Sequence, residues 1–414
     1  MNSQWWDENQ MKQYQEERLR ILIKHSVATV PYYRDLFKEL RLNPDDISSR
    51  RDLKKLPILT KTIIKKEGID RFTSSAVSKK KIKNFSSSGS TGEPLFYFST
   101  KEAYSFILAS NLRGWYWMNY RLGDKYIKLS QNARKSLIKR LQDKMSRNLY
   151  LATNPLINSN FEYILNEIEK YKPKVIRCYP DPLLFLARYK KKHPKFFYHP
   201  QSITTTGNTL YPETRSEIET AFGCKIFDSY SCEGNSTVFE CPTHDCYHST
   251  EEYGISEVID DKENIITTGL GRLISTDLWN LAHPFIRYDT QDFIEIDDKP
   301  CICGRKHLRI NKILGRDNEV LIMENGHRFI VHNFTGFFQT DSPGIKRSVD
   351  QFQVVKKNDQ TILFRLVVND KYSESVADYI RSFWENESKT QVTIEIVDQI
   401  PISLSGKNRF IIND

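Results

Sequence analysis

The sequence predicts an α/β protein with a large layered domain over residues 1–316 and a small α+β domain over residues 317–414. Three observations lead there. Short apolar strand segments alternate with helical stretches from residue 124 to about residue 290. After Gly315-Arg316-Asp317-Asn318-Glu319 the pattern changes to β-rich pieces around one helix. A chain of 414 residues, 39% hydrophobic and 12% aromatic, is long and apolar enough for one large core and a second, smaller one.

The elements follow in order. Residues 8–48 read as largely helical, with Leu19, Leu22, Ile23 and Val27 at helical spacing. Val30-Pro31-Tyr32-Tyr33 interrupts that run, because a proline excludes the helical conformation at the residue before it. Asn43-Pro44-Asp45-Asp46 marks a turn. Phe96-Tyr97-Phe98 reads as a strand and 101–121 as a helix carrying Tyr104, Phe106, Trp115, Trp117 and Tyr120. Strands are expected at Tyr126–Leu129, Val175-Ile176, Ile203–Thr205, Cys224–Phe227 and Gly254–Ile259, with helices at 160–171, 182–191 and 212–222. In the small domain Phe352–Val355, Ile362–Val368 and Val392–Val397 read as strands and 372–386 as a helix. No internal repeat is evident.

The segment Met1–Asp7 has neither a cationic start nor an apolar stretch, so no signal peptide is expected. No run approaches the roughly 20 apolar residues of a membrane-spanning helix, and a cytosolic protein without a membrane span is expected. Seven cysteines in such a compartment are not a disulfide set. The net charge of +9 is concentrated between Arg50 and Lys83 and between Arg134 and Lys195. Neither stretch alternates basic with aromatic residues as strand-binding surfaces do, so a solvated basic face is expected.

Three segments carry chemistry. Ser86-Ser87-Ser88-Gly89-Ser90-Thr91-Gly92-Glu93-Pro94 has almost no side-chain bulk and offers backbone N–H groups and hydroxyls to an anion such as a polyphosphate. Ile286-Arg287-Tyr288-Asp289-Thr290-Gln291-Asp292 supplies carboxylates, and Ser405-Gly406-Lys407-Asn408-Arg409 a C-terminal cation. Together with Asp228-Ser229-Tyr230-Ser231-Cys232-Glu233-Gly234, these resemble the motifs of the adenylate-forming superfamily. The branch is that of phenylacetate–CoA ligase and the related proteins of capsular polysaccharide clusters. The resemblance covers nearly the whole chain, including Val30-Pro31-Tyr32-Tyr33-Arg34 and Leu56-Pro57-Ile58-Leu59-Thr60-Lys61.

The resemblance implies ATP-dependent activation of a carboxylic acid to an acyl-adenylate and pyrophosphate, followed by acyl transfer, by default to CoA. Amide formation on an amino-sugar or amino acid is the alternative. It implies that Ser87, Ser88, Gly89, Ser90, Thr91 and Gly92 hold the β- and γ-phosphates and that Glu233 helps hold Mg²⁺. Asn208, after Gly207, and Tyr230 would meet adenine, Asp292 and Arg316 the ribose, and Lys407 the reacting carboxylate and α-phosphate. Such a lysine rides on a small domain that swings between the two half-reactions. The sequence departs from the family at Leu95, where a lysine is common, at Gln291 in place of a glycine, and in a tyrosine three rather than four residues before Glu233.

Glu240-Cys241-Pro242-Thr243-His244-Asp245-Cys246-Tyr247-His248 and Pro300-Cys301-Ile302-Cys303-Gly304 are rich in soft ligands. A tetrahedral structural Zn²⁺ is expected, bound by Cys301, Cys303 and Cys241, with His248 or Cys246 as the fourth ligand and His244 a lesser choice. A zinc-containing, basic nucleic-acid-binding protein is the rival reading, and it explains neither the Ser/Gly loop nor Lys407. No nucleic-acid partner is expected.

Overall fold

The computed structural model describes residues 2–78, 80, 82–86, 95–130, 133–134, 136–153, 157–207, 210, 212–232, 237–260, 262–315, 320–323, 328–338, 344–400 and 411–413. The chain divides into two compact units, Met1–Phe85 with Tyr97–Gly315, and Ser86–Phe96 with Arg316–Asp414.

The larger unit begins with helices α1 (Glu8–Thr29), α2 (Pro31–Glu39) and α3 (Lys61–Glu67). A reciprocal capping box between Asp7 and Gln10 starts α1, and the extended Val30 ends it, with Pro31 as the first residue of α2. Strands β1 (Ile82–Ser86) and β2 (Phe96–Thr100) pair, and α4 (Lys101–Trp117) follows. Then come β3 (Tyr126–Ser130), α5 (Leu137–Met145), β4 (Asn148–Ala152), α6 (Asn158–Tyr171), β5 (Val175–Cys178), α7 (Pro180–Lys192), β6 (Ser202–Thr206), α8 (Pro212–Phe222) and β7 (Lys225–Ser231). The remaining strands are β8 (Thr237–Glu240), β9 (Tyr247–His248), β10 (Gly254–Ile259), β11 (Gly269–Asp277), β12 (Tyr288–Asp297) and β13 (Arg309–Gly315).

Eleven strands form one sheet in the order β10-β11-β12-β13-β9-β8-β7-β6-β5-β3-β4. From β4 to β7 the pairings are parallel, and from β7 onward they are antiparallel. The parallel strands are linked through helices because a parallel pairing needs a crossover. Their apolar face meets α6, α7 and α8 in a core that includes Ile127, Leu129, Ile164, Ile176, Leu186, Ile203 and Phe222. On the opposite face Trp115, Tyr120 and Tyr126 pack edge to face, with Phe227 and Phe239 beside them. Much of the aromatic stripe expected on α4 is therefore core.

The N-terminal motifs brace the segment before β12. The Tyr33 hydroxyl donates to the Pro284 carbonyl at 2.9 Å and accepts from the Ile286 N–H at 3.2 Å. Leu59 bridges to Tyr288, exchanging backbone hydrogen bonds of 2.9 Å with Arg287 and Asp289. Buried Gln15 donates to the Glu251 carbonyl at 2.6 Å, tying α1 to the start of β10.

The smaller unit has a hairpin of β14 (Val320–Ile322) and β15 (Arg328–Ile330), helices α9 (Val331–Phe338), α10 (Ile345–Ser348) and α11 (Glu374–Ser388), and a sheet in the order β18-β17-β16-β19. Those four strands are β16 (Val349–Lys356), β17 (Ile362–Val368), β18 (Val392–Ile396) and β19 (Ile411–Asn413). Trp384 of α11 lies at its centre against Phe334, Phe337 and Phe364.

Removing the Tyr33 hydroxyl leaves a buried carbonyl and a buried N–H without a partner. The Tyr33→Phe variant should lose about 1–3 kcal/mol of stability, read by chemical denaturation; a loss of only a few tenths would show that water replaces the hydroxyl.

Candidate functional site

Of the residues singled out by the motifs, Ser87, Ser88, Gly89, Ser90, Thr91, Gly92, Asn208, Glu233, Arg316 and Lys407 lie outside the described residues. Tyr230 and Asp292, together with the Cys/His set, lie within them.

Tyr230 and its neighbours on β7 sit where the parallel half of the sheet meets the antiparallel half. Asp228 and Thr205 are register partners on β7 and β6, and the Thr205 hydroxyl donates to Asp228 Oδ1 at 2.6 Å. The Tyr247 hydroxyl donates to Asp228 Oδ2 at 3.1 Å. Burial pushes the Asp228 carboxyl up to about 6, and donation from Thr205 pulls against it. Two residues on, the Tyr230 hydroxyl donates to Asp292 Oδ2 at 2.7 Å, joining two motifs that are 62 residues apart. The Tyr230 ring packs beside Val238, Val258 and Leu273, while Ser229, on the other face, donates to the Thr205 carbonyl at 2.7 Å.

Gln291 occupies a left-handed conformation, φ 64°, with its N–H donating to Asp289 Oδ1 at 2.8 Å. Glycine takes this conformation freely, so glutamine here keeps the backbone bend at a steric cost. Gly207, φ 87°, follows β6 under the Tyr179 ring, and a Cβ there would lie 2.4 Å from that ring. Only glycine fits so close an approach.

Sequence reasoning did not single out a pair of cations on the same sheet. Lys128 and Arg177 are register partners on β3 and β5, both half-buried. Burial, then Arg177 and Arg134, pushes Lys128 down to about 8. Arg177 is lowered by burial and has Tyr179, Tyr126 and Tyr104 near it. Each breaks a short apolar run, and that break was the available signal. Tyr104 also lines a cavity of about 1180 Å³ with Phe85, Phe98, Lys83 and Lys139.

The cysteine cluster is built from two tight turns. In the first, the Cys241 N–H donates to the Cys246 carbonyl at 2.8 Å and the His244 N–H to the Cys241 carbonyl at 2.9 Å, between β8 and β9. In the second, Gly304, φ 81°, donates to the Cys301 carbonyl at 3.0 Å. The ligand atoms of Cys241, Cys246, His248 and Cys301 all lie within 4.8 Å of one another, and all four residues are buried. Cys301 Sγ is 3.7 Å from Cys241 Sγ and 3.6 Å from Cys246 Sγ. Four zinc–sulfur bonds of about 2.3 Å at tetrahedral angles give sulfur–sulfur edges of about 3.8 Å, so the donor set fits that ion. Cys303 lies at the rim, 3.3 Å from His248 Nε2, as a fifth donor. His244 is directed elsewhere, to Glu240 at 3.1 Å and against the Phe227 ring.

Hydrogen bonds from Cys246 and His248 hold the Cys241 thiol far below its usual range, while Cys246 is pushed up by Cys241 and Cys303 by burial. A dication bound by such thiols would displace their protons. The Thr243 hydroxyl and the Arg305 N–H point at Cys241 and Cys303 sulfurs, at 3.0 and 3.5 Å, the kind of contact that orients thiolate ligands.

Comparison with known proteins follows the same lines. Residues 322–414 match the CapK C-terminal domain. The chain is 23% identical to Protein CapK of Staphylococcus aureus over 420 aligned positions, covering 98% of this chain and 90% of that protein. It is 25% identical to a phenylacetate-coenzyme A ligase of Thermus thermophilus, covering 85% of this chain and 79% of the relative. The corresponding Pseudomonas putida ligase is 26% identical over 77% of this chain and 73% of its own length. A solved structure of 2-hydroxyisobutyryl-CoA ligase with 2-HIB-AMP and CoA superposes over 100% of this chain and 91% of its own, with a TM-score of 0.69 and 16% identity. The protein therefore has the fold of the adenylate-forming CoA ligases. In sequence it is similar to CapK and to the phenylacetate-coenzyme A ligases, and residues 322–414 match the CapK C-terminal domain.

Protonation of Asp228 carries a pH signature. Its raised value means that its contribution to stability is complete below its ordinary 3.8 and is lost as pH rises through about 6. Asp228→Asn should shrink the difference in Tm between pH 4 and pH 7 by about 4 °C relative to the parent protein. An unchanged difference would mean that Asp228 titrates normally.

Proposed function

We propose that the chain activates a carboxylic acid with ATP and then passes the acyl group to an acceptor, by default the thiol of CoA. In the first step a carboxylate oxygen attacks the α-phosphorus, the bond to the bridging oxygen breaks, and pyrophosphate leaves. In the second the thiol attacks the acyl carbon and AMP leaves. The observation that carries this reading is the relationship to phenylacetate-coenzyme A ligases over 85% of the chain, reinforced by the direct bond between Tyr230 and Asp292.

Residue roles follow from the chemistry. Two anions must approach, so directed donors and cations are needed. Ser87, Ser88, Gly89, Ser90, Thr91 and Gly92 hold the β- and γ-phosphates. Asp292, oriented by Tyr230, accepts from the ribose hydroxyls with Arg316 beside it, and Asn208 and Tyr230 frame the adenine. Lys407, on a small domain of residues 317–414, neutralises charge between the carboxylate and the α-phosphate. Glu233 is the ligand for Mg²⁺, which shields the phosphate oxygens when bound. A structural Zn²⁺ is held by Cys241, Cys246, Cys301 and His248, with Cys303 competing as a fifth donor. Bound there, it would tie the turn after β8 to the turn before β13.

An amine acceptor is the second reading. It is favoured by one observation: similarity to CapK extends over 98% of the chain and includes the C-terminal domain. Amide formation on an amino-sugar or amino acid in surface polysaccharide assembly would use the same first step.

Acid-dependent ATP–pyrophosphate exchange against aryl, fatty, hydroxy and amino acids, with CoA withheld, tests the first step. Exchange should appear with one class of acid, and Lys407→Ala should lower it by about 10²-fold or more without shifting thermal unfolding. Silence together with no ATP binding overturns the reading, and an unchanged rate in the variant removes Lys407 from its role.

Protein purified without added metal should contain about one equivalent of zinc. Cys301→Ser should abolish it and lower thermal stability, whereas Cys303→Ser should retain it. Metal-free protein of equal stability would sink the site.

A further inference from the structure

Helix α5 (Leu137–Met145) is amphipathic, yet it is mounted with its apolar side outward. Leu137, Ile138, Leu141 and Met145 are 77, 72, 61 and 78% exposed, and the helix buries no residue. At helical spacing these four form one stripe about 100° wide. On the other side Asp143 faces the protein, accepting two bonds from Arg134 at 2.8 and 2.9 Å and one from Asn148 at 2.8 Å. A polar contact therefore holds the helix in place, and among the described residues the apolar stripe is left uncovered.

Its surroundings are strongly basic. From Arg134 to Arg147 the sequence has six cations, Arg134, Lys135, Lys139, Arg140, Lys144 and Arg147, against the single acid Asp143. Beside the helix lies a cavity of about 630 Å³, lined among others by Lys125, Arg134, Arg140, Lys144, Arg147 and Tyr163. Tyr163 is itself 53% exposed. An apolar stripe flanked by cations, with a tyrosine at its margin, matches the surface of an anionic bilayer. The stripe can enter the acyl boundary while Arg140 and Lys144 meet phosphate headgroups. A second copy of the chain fits less well, because apposing two such faces sets like charges against each other.

We propose that α5 docks this protein peripherally onto an anionic membrane surface. The proposal does not depend on the reaction catalysed. It is tested by co-sedimentation of the full chain with phosphatidylcholine vesicles, with and without phosphatidylglycerol, at low and high salt. Binding should be at least about tenfold stronger with the anionic lipid and should fall with salt. Leu141→Glu/Met145→Glu and, separately, Arg140→Glu/Lys144→Glu should each reduce it by about tenfold or more. Thermal unfolding should stay unchanged for the first pair, since those side chains point to solvent. Equal binding to neutral vesicles, or binding untouched by the Leu141/Met145 pair, overturns the proposal. So does failure to bind vesicles combined with a dimer, in sedimentation velocity, that this pair dissolves.

Discussion

The buried guanidinium of Arg287 holds together three parts of the larger unit. It donates to Glu257 Oε2 of β10 at 3.1 Å and to the Leu56 carbonyl at 2.6 Å, and both side chains of the ion pair are nearly excluded from solvent. Its own backbone is left-handed, φ 52°, and its carbonyl accepts from Leu59. Burial pushes the Glu257 carboxyl up even with the arginine beside it. A pair of this kind contributes less to net stability than to uniqueness of arrangement, since removing one partner strands a buried charge. Here the arrangement at stake is the path of residues 284–292, which carries Asp289 to Arg272 of β11 and Asp292 to Tyr230 of β7.

That path matters because the sheet changes character at β7. Parallel strands end there in a row, which is where open α/β sheets present ligand-binding loops. The antiparallel strands begin beside them, and two of these, β8 and β9, are joined by the first cysteine turn. The Asp228–Thr205–Tyr247 contacts and the Tyr230–Asp292 bond stitch the two halves side by side. The cysteine cluster then brings the turn after β8 against the turn before β13. Stability devices and candidate chemistry thus share one seam, and the Tyr230–Asp292 bond belongs to both.

Charge is distributed unevenly over the same unit. Lys128 and Arg177 sit on the sheet face below the strand ends, near Arg134. Arg134 in turn holds α5 through Asp143. One side of the parallel sheet is therefore electropositive from its interior out to the exposed helix, a field that attracts anions of any kind. This side holds one of the two basic stretches behind the net charge of +9, the other running from Arg50 to Lys83.

Local sequence was sufficient where short-range physics decides. Pro31 splits the N-terminal helical run, the strand of residues 254–259 coincides with its apolar segment, and so does that of 362–368. The two close-spaced sets of soft donors were equally visible without a fold, and the structure brings Cys241, Cys246, His248 and Cys301 together. Pairings across long sequence separations were not legible. The strand order of the large sheet, the meeting of the two cysteine turns, the bond from Tyr230 to Asp292 and the match of Lys128 with Arg177 all depend on register between distant segments. The outward face of α5 was hidden for a related reason. Periodicity reports that a helix has an apolar side, and only the bonds from Arg134 and Asn148 to Asp143 decide which side meets the protein.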